Sequence, residues 1–157
     1  MVFLEPEQYQ QRCVQLFNMY KKDISILLPF AKIEHIGSSA IPNAISKGDL
    51  DIYVEVEPDQ FEFAIAQLKT LNFIEKQNTL RTDEICMLES LNNDDVAFQI
   101  VVTDSVFTFF LTFRNKLIDS PLLVNEYNQL KLECSYLDHD QYRTIKADFI
   151  NRVLKHP

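Results

Sequence analysis

Glycine is scarce in this chain of 157 residues: only Gly37 and Gly48 occur, both within a stretch of twelve residues. The chain also lacks any apolar run near the roughly 20 residues that a membrane-spanning helix needs. Its first ten residues, MVFLEPEQYQ, have neither the basic start nor the apolar stretch of a signal peptide. These absences predict no membrane span and a cytoplasmic location.

Cysteine is also sparse and irregularly placed. Cys13, Cys86 and Cys134 are odd in number, far apart and without a Cys-x-x-Cys spacing. This argues against a disulfide framework and against a zinc site. Cys13 falls on an apolar helical stripe, which predicts a reduced thiol in the core.

The excess of negative charge limits the classes of partner. A net charge of −8 disfavours broad, non-specific nucleic-acid binding, which needs a basic surface. A nucleotide bound as a small ligand is still compatible with this charge. The chain has no internal repeat, low-complexity tract or Pro/Gly/Ser-rich linker, which predicts a single domain over residues 1–157.

Hydrophobic periodicity predicts an alternation of helices and strands. The predicted elements are a first helix ending at Pro29, strands at 31–36 and 50–56, a helix at 59–71, strands at 72–75, 85–90 and 96–102, and three closing helices. This order predicts an α/β or α+β domain in which helices flank a mixed β-sheet, with a helical C-terminal tail.

The strand at 50–56 carries the first candidate site. Its aliphatic residues alternate with polar ones, so Asp49 and Asp51 point the same way, about 6–7 Å apart. Two carboxylates at this spacing can converge on a magnesium or manganese ion. The alternative is an edge strand whose polar face is solvated.

The turn around Gly37 is the second candidate. A glycine after a strand allows a tight turn and close approach of a ligand. Ser38, Ser39 and the following backbone N–H groups could hold phosphate oxygens at a helix start, or a serine could cap that helix. Lys47 could pair with a phosphate or be a surface lysine. His35 could donate to a phosphate or make a structural hydrogen bond.

The order of these features resembles a known pattern. A strand, Gly-Ser, a loop of about ten residues and Asp-x-Asp on a strand form the signature of the nucleotidyltransferase superfamily, and the chain resembles its GrpB-like family more closely. The matching positions in this stretch are His35-Ile36-Gly37-Ser38-Ser39-Ala40-Ile41-Pro42, Lys47 and Asp49-Leu50-Asp51. Asn43 stands where the family usually has glycine, and KGDLD is a variant form of the motif.

The resemblance continues toward the C-terminus, while residues 57–95 match poorly. The further matches are Phe113-Arg114-Asn115-Lys116-Leu117, Glu126-Tyr127, Leu130-Lys131 and Tyr142, Lys146, Phe149, Ile150. The resemblance implies a nucleotidyltransferase fold with the Gly-Ser turn and the Asp-x-Asp strand on one rim. The roles of five side chains stay unassigned: Arg81, and Arg114, Lys131, Tyr142 and Lys146, for which surface ion pairing and lining of the cleft are the two alternatives.

The resemblance also implies an activity. Members of the superfamily use magnesium held by carboxylates to move a nucleotidyl group from a nucleoside triphosphate to an acceptor, here an unknown small molecule or protein. Asp49 and Asp51 are then the catalytic and metal-binding residues. Gln99 takes the central place on strand 96–102 where a third acid is expected and is counted among the substrate-binding residues, unless Asp95 substitutes from the strand's end. The alternative function is a non-catalytic nucleotide-binding or protein-interaction module.

Overall fold

A five-stranded mixed sheet organises the chain. The computed structural model describes residues 1–156, and the strands are β1 (Lys32–Ile36), β2 (Leu50–Val56), β3 (Phe73–Glu75), β4 (Ile85–Ser90) and β5 (Val96–Val102). Their spatial order is β1-β2-β5-β4-β3; β2 and β5 run parallel, and the other neighbours run antiparallel. The predicted mixed sheet is confirmed. The alternative of an edge strand for 50–56 is wrong, because β2 lies between β1 and β5.

Five α-helices flank the sheet, and the predicted helical C-terminal tail is confirmed. They are α1 (Pro6–Leu27), α2 (Phe61–Lys69), α3 (Phe109–Ile118), α4 (Pro121–Glu133) and α5 (His139–Lys155). The helix expected from residue 59 begins at Phe61 because Pro58–Gln60 forms a short 3-10 turn first. No helix within residues 1–156 is both long and apolar enough to cross a membrane.

Local sequence signals explain where the helices begin. Pro6 lies in the first turn of α1, where a missing N–H costs nothing, and Glu5 forms a reciprocal capping box with Gln8. The hydroxyl of Ser120 accepts from the backbone N–H of Leu123 at the start of α4. Each signal therefore sets a helix start independently of tertiary packing.

The largest apolar cluster joins α1 and α2 to one face of the sheet. Phe98 of β5 is fully buried at its centre, and its ring stacks on Phe73 with centroids 4.0 Å apart. Tyr20 of α1 meets both rings edge-on. Cys13 is a buried free thiol in this cluster, as predicted.

The opposite face of the sheet is covered as well. Tyr53 of β2 is fully buried, with the ring of Phe110 meeting it at an angle of 61° and a centroid distance of 6.4 Å. The residue alternation of β2 puts Tyr53 on the same face as Asp51, and Tyr53 is buried there because α3 packs over it. A separate apolar cluster joins α3, α4 and α5, and it also takes in Ile41 and Ala44 from the loop before β2.

We expect Phe98→Ala to lower the free energy of unfolding by about 3–5 kcal/mol, because a buried ring is lost and a cavity remains. The matched control is Phe63→Ala on α2, whose side chain is 49% exposed and should cost about 1 kcal/mol or less. Urea denaturation of both variants measures the difference. Equal losses would contradict the assigned core.

Candidate functional site

A cleft of about 460 Å³ lies over the start of β2, between the sheet and the C-terminal helices. Its volume is in the range of small-ligand sites. The predicted site residues that line it are Gly37, Ser38, Lys47, Asp49, Asp51 and Gln99. Three of the unassigned residues, Lys131, Tyr142 and Lys146, also line it. The structure therefore brings together parts of the chain that are about 100 residues apart in sequence.

The Gly37 turn and the carboxylate of Asp51 are in close contact. Gly37 has a φ of +76°, and a Cβ added there would come within 2.7 Å of Asp51 Oδ2. Glycine is required at this position for both reasons. The turn leads into a three-residue 3-10 helix, Ser38–Ala40, without a side-chain cap, so the predicted helix start is a single tight turn.

Asn43 also has a structural explanation. Its φ is +68°, in the left-handed region that glycine adopts most easily and that asparagine tolerates. The departure from the family's glycine thus keeps the same backbone conformation.

Side chains from α1 hold the loop that joins the turn to β2. The hydroxyl of Tyr9 donates to the carbonyl of Ala44 at 2.8 Å. The Nε2 of Gln10 donates to the carbonyl of Ile41 at 2.8 Å. Periodicity predicted Tyr9 as a core residue, but no signal in the sequence marks Gln10.

Two residues of α4 hold the same loop from the other side. Asn128 accepts from the backbone N–H of Ile45 at 2.9 Å and donates to the carbonyl of Asn43 at 2.8 Å. The Nζ of Lys131 donates to Ser38 Oγ at 2.6 Å and to the carbonyl of Ile45 at 2.5 Å. Sequence reasoning missed Asn128, and the Leu-Lys motif singled out Lys131 without showing its partner.

Lys131 is a buried amine in a positively charged neighbourhood. It is 2% exposed, and its Nζ lies 4.0 Å from the centre of the Tyr127 ring. Burial lowers its pKa to about 6; the positive charges of Lys146 and Lys47 add to this effect, while Asp49 opposes it. The amine is therefore poised to take up a proton when an anion approaches.

Asp49 and Asp51 lie half-buried in the cleft, which corrects the expectation that both are exposed on the rim. Burial, followed by the negative charge of Asp49, raises the pKa of Asp51 to about 7, against the opposing charges of Lys146, Lys76 and Lys47. The protonation of Asp51 therefore depends on the charge of Asp49.

The cleft contains cations that form no ion pair within the described part of the chain. Within residues 1–156, Lys47, Lys76, Arg143 and Lys146 have no ion pair within 4.0 Å and make no side-chain hydrogen bond, although all four line the cleft. These four cations, together with the amine of Lys131, face two carboxylates in a chain of net charge −8. The cleft is therefore a local site of positive charge.

His35 and Ser39, both predicted to bind phosphate, lie outside the described lining of the cleft. His35 Nε2 is within 2.7 Å of Ser39 Oγ, and its ring stacks on Phe17 with centroids 5.0 Å apart. Arg114 donates to the carbonyl of His35 at 2.9 Å and pairs with Glu34 at 3.4 Å. Burial, with Arg114 nearby, lowers the pKa of His35 to about 4. These contacts support the structural interpretation of His35.

The position expected for a third acid holds no carboxylate. Ala97 lies directly across from Asp51 in the parallel register, and Gln99 lies across from Tyr53. Asp95 is exposed and is not among the described lining residues. No group of three or more His, Cys, Asp or Glu side chains in residues 1–156 is arranged to hold a metal ion.

This donor set fits magnesium in one particular mode. Magnesium often binds through one or two carboxylates and completes its octahedral shell with water and substrate phosphates. Asp49 and Asp51 supply the two carboxylates, and the free cations are suited to the phosphates. The residues present therefore fit a metal that arrives with a phosphate ligand.

Arg81 belongs to a separate surface network. It pairs with Glu75 at 2.9 Å and with Glu62 at 3.2 Å, and its guanidinium lies 5.4 Å from the centre of the Phe61 ring. These contacts tie β3 to α2 outside the cleft, so Arg81 has a structural explanation.

Comparison with solved structures identifies the fold. The chain is similar to the Cid1 poly(U) polymerase solved with MgGTP bound, with a TM-score of 0.56 and 14% identity over 80% of this chain and 42% of that one. It is similar to GrpB from Enterococcus faecalis with a TM-score of 0.73 and 20% identity, over 98% of this chain and 100% of that one. The fold is that of the nucleotidyltransferases.

The family model for GrpB protein matches residues 4–156, and the chain belongs to that family. A UPF0157 protein of Vibrio cholerae is 51% identical over 154 residues, which cover 98% of this chain and 82% of that protein. The predicted family is therefore confirmed.

We expect Asp51→Asn to raise the melting temperature by roughly 2–6 °C at pH 8 and to leave it unchanged near pH 4. The folded state holds the proton of Asp51 up to a pKa of about 7, against an ordinary 3.8, so the native carboxyl loses stability as pH rises through that window. Thermal melts at several pH values measure the effect, with exposed Asp83→Asn as the control. A gain of the same size at pH 4 would contradict this origin.

We expect Lys131→Met to change the pH dependence of stability in the opposite sense. Because the native pKa is about 6 against an ordinary 10.5, the unfolded state binds more protons between these values, and stability of the native protein rises with pH there. The melting temperature of the variant minus that of wild type should therefore fall by roughly 5–10 °C from pH 6 to pH 9. Exposed Lys22→Met is the control, and a pH-independent difference would refute the assignment.

Proposed function

We propose that this protein binds a nucleoside triphosphate with magnesium and transfers its nucleotidyl group to a small-molecule or protein acceptor. The observation that carries the proposal is the set of unpaired cations beside two carboxylates in one cleft. A chain of net charge −8 that concentrates free positive charge in one place is suited to an anionic ligand.

The charge pattern favours a phosphate chain over a simple anion. Four unpaired cations and the amine of Lys131 exceed what one carboxylate or one phosphate would need, whereas a triphosphate carries several charges along its length. The two carboxylates would repel such a ligand on their own. A divalent ion bound by these carboxylates would remove that repulsion, and the fold neighbour Cid1 is described with MgGTP bound.

Six of the lining residues then have a role. Asp49 and Asp51 hold the magnesium, and manganese would fit the same oxygen donors. Ser38, held in place by Lys131, donates to a phosphate oxygen once Lys131 is protonated. Lys47 and Lys146 neutralise the remaining phosphate charge.

The transfer itself is a displacement at the α-phosphorus. The acceptor oxygen forms a bond to that phosphorus, the bond to the bridging oxygen of the β-phosphate breaks, and pyrophosphate leaves as the acceptor's proton passes to solvent. Bound magnesium would supply charge stabilisation for the phosphates and lower the pKa of the acceptor hydroxyl. The protein's own contribution is to orient the triphosphate and to balance its charge.

The missing third carboxylate favours a second candidate function. Ala97 and Gln99 stand where a further metal ligand would be expected, and neither provides a negative charge. A module that binds nucleotide without turning it over, or that uses this surface to bind a protein, needs only the charge pattern and not the full acid set.

A screen of the four nucleoside triphosphates with Mg²⁺ and with Mn²⁺ separates the two functions. Pyrophosphate release and thermal shift are followed in the same samples. Release together with stabilisation supports the transferase. Stabilisation without release, in both the wild type and Gln99→Asp, supports the module.

We expect Asp51→Asn to abolish the magnesium dependence of nucleotide binding, because it removes a full negative charge from the metal site. Ser38→Ala should weaken binding by only about 1.5–3 kcal/mol, since it removes one hydrogen bond to a charged group. Asp49→Asn should resemble Asp51→Asn if both carboxylates share the ion, and be milder if Asp51 is the main ligand. Titration calorimetry with and without Mg²⁺ measures all three.

One result would show that these carboxylates are structural. If Asp51→Asn unfolds most of the protein while the folded fraction keeps its magnesium-dependent affinity, the metal site is not at Asp51. Circular dichroism of each variant before titration gives the folded fraction.

A further inference from the structure

We propose that the sheet-centre part of the cleft, lined by Gln99, Phe109, Phe110, Leu80 and Asn78, is a subsite for the nucleobase, so that the ligand is a nucleotide and not a base-free polyphosphate. This inference rests on the proposed function and assigns the half of the cleft that the phosphates leave free. It also gives Gln99 a role of its own.

The subsite differs in character from the phosphate half. Phe109 and Phe110 at the start of α3 both line the cleft, and their rings stack with centroids 4.4 Å apart. Met87 and Leu80 add aliphatic surface, and Leu80 is 61% exposed although it lines the cleft. Flat aromatic rings beside aliphatic side chains are the usual surface against which a base stacks.

The distance between the proposed base subsite and the two carboxylates fits the separation of base and phosphates within one nucleotide. Gln99 is two residues beyond Ala97, the partner of Asp51, and lies on the neighbouring strand. Strand geometry places the Cα atoms of Gln99 and Asp51 roughly 8 Å apart. The pairing of Met87 with Gln99 then extends the same surface one strand further from the metal site.

Two amides in this half have unused hydrogen-bonding groups. Within residues 1–156, neither Gln99 nor Asn78 makes a side-chain hydrogen bond. The hydroxyl of neighbouring Thr79, by contrast, donates to the carbonyl of Lys76 at 2.7 Å. An amide offers both donors and an acceptor, which is what the polar edge of a base requires.

The loop that carries Asn78 and Leu80 is held close to the sheet. The backbone N–H of Lys76 donates to the carbonyl of Met87 at 2.9 Å, and that of Thr82 donates to the carbonyl of Ile85 at 3.0 Å. Asn78 has a φ of +61°, which marks a tight turn at the tip. The loop is thus anchored at both ends beside the sheet, with Leu80 and Asn78 at the cleft.

The test compares ligands that share the phosphates and differ in the base. ATP, GTP, CTP, UTP and inorganic tripolyphosphate are each titrated with Mg²⁺ into the full chain by calorimetry. We expect at least one nucleotide to bind about tenfold or more tightly than tripolyphosphate, the contribution typical of one stacked base. Gln99→Leu and Leu80→Ser should each weaken that nucleotide several-fold and change tripolyphosphate affinity less than twofold.

Matched controls keep folding defects apart from binding. Gln67→Leu on α2 is a half-buried glutamine outside the cleft, and Leu122→Ser on α4 is an exposed leucine outside it. Both should bind every ligand as wild type does. Because Leu80 is largely exposed, its substitution should leave the thermal melt unchanged.

The results distinguish failure of the base subsite from failure of the proposed function. If tripolyphosphate and all four nucleotides bind equally, the nucleobase subsite is overturned and the phosphate site stands. If the variants weaken tripolyphosphate as much as the nucleotide, these residues act only through the fold and the subsite is again overturned. If no ligand binds, the proposed function itself fails and this inference fails with it.

Discussion

The candidate site depends on how one irregular segment, residues 37–49, is held in shape. The segment contains a 3-10 turn at Ser38–Ala40, one further turn closed by the Ala44 N–H and the Ile41 carbonyl, and a bridge between Ser46 and Leu4, so most of its backbone groups depend on partners outside the segment. Tyr9 and Gln10 anchor it from α1, and Asn128 and Lys131 anchor it from α4. Every anchoring bond ends on a backbone carbonyl or N–H group, apart from the one to Ser38. These bonds therefore hold the path of the loop, and with it the position of the Gly37 turn, largely without using the side chains of the loop itself.

The electrostatics of the cleft are unfavourable to the unliganded protein. Burial keeps Lys131 mostly neutral and Asp51 partly protonated near neutral pH; an anion would favour protonated Lys131, and a metal ion would favour ionised Asp51. Ionisable groups with perturbed pKa values are common at functional sites, where they lower the stability of the free protein. By contrast, ion pairs outside the cleft, such as that of Arg152 with Glu126, lie on the surface, where charged groups stay hydrated.

The order of elements, the mixed sheet and the contact between the Gly37 turn and the Asp-x-Asp strand all followed from periodicity and motif order. Local patterns contain that information because apolar spacing determines which face of an element is buried. The burial of Tyr53 and the separation of His35 from the cleft did not follow, since both depend on what α3 and α1 cover from a distance in sequence. The roles of Gln10 and Asn128 could not be predicted either. A single amide residue has no periodicity, and the partners of these two side chains are backbone atoms that could belong to any residue.

The loop residues Ile41 and Ala44 complete the apolar cluster of α3, α4 and α5, although they precede those helices by some 65 residues or more. The last third of the chain therefore lacks part of its core until the first third is in place. Contacts of such long sequence separation form late and slowly during folding. The cleft is assembled in that same step, so native hydrogen exchange in α4 and α5 will report on the opening of the site as well as on the helices themselves.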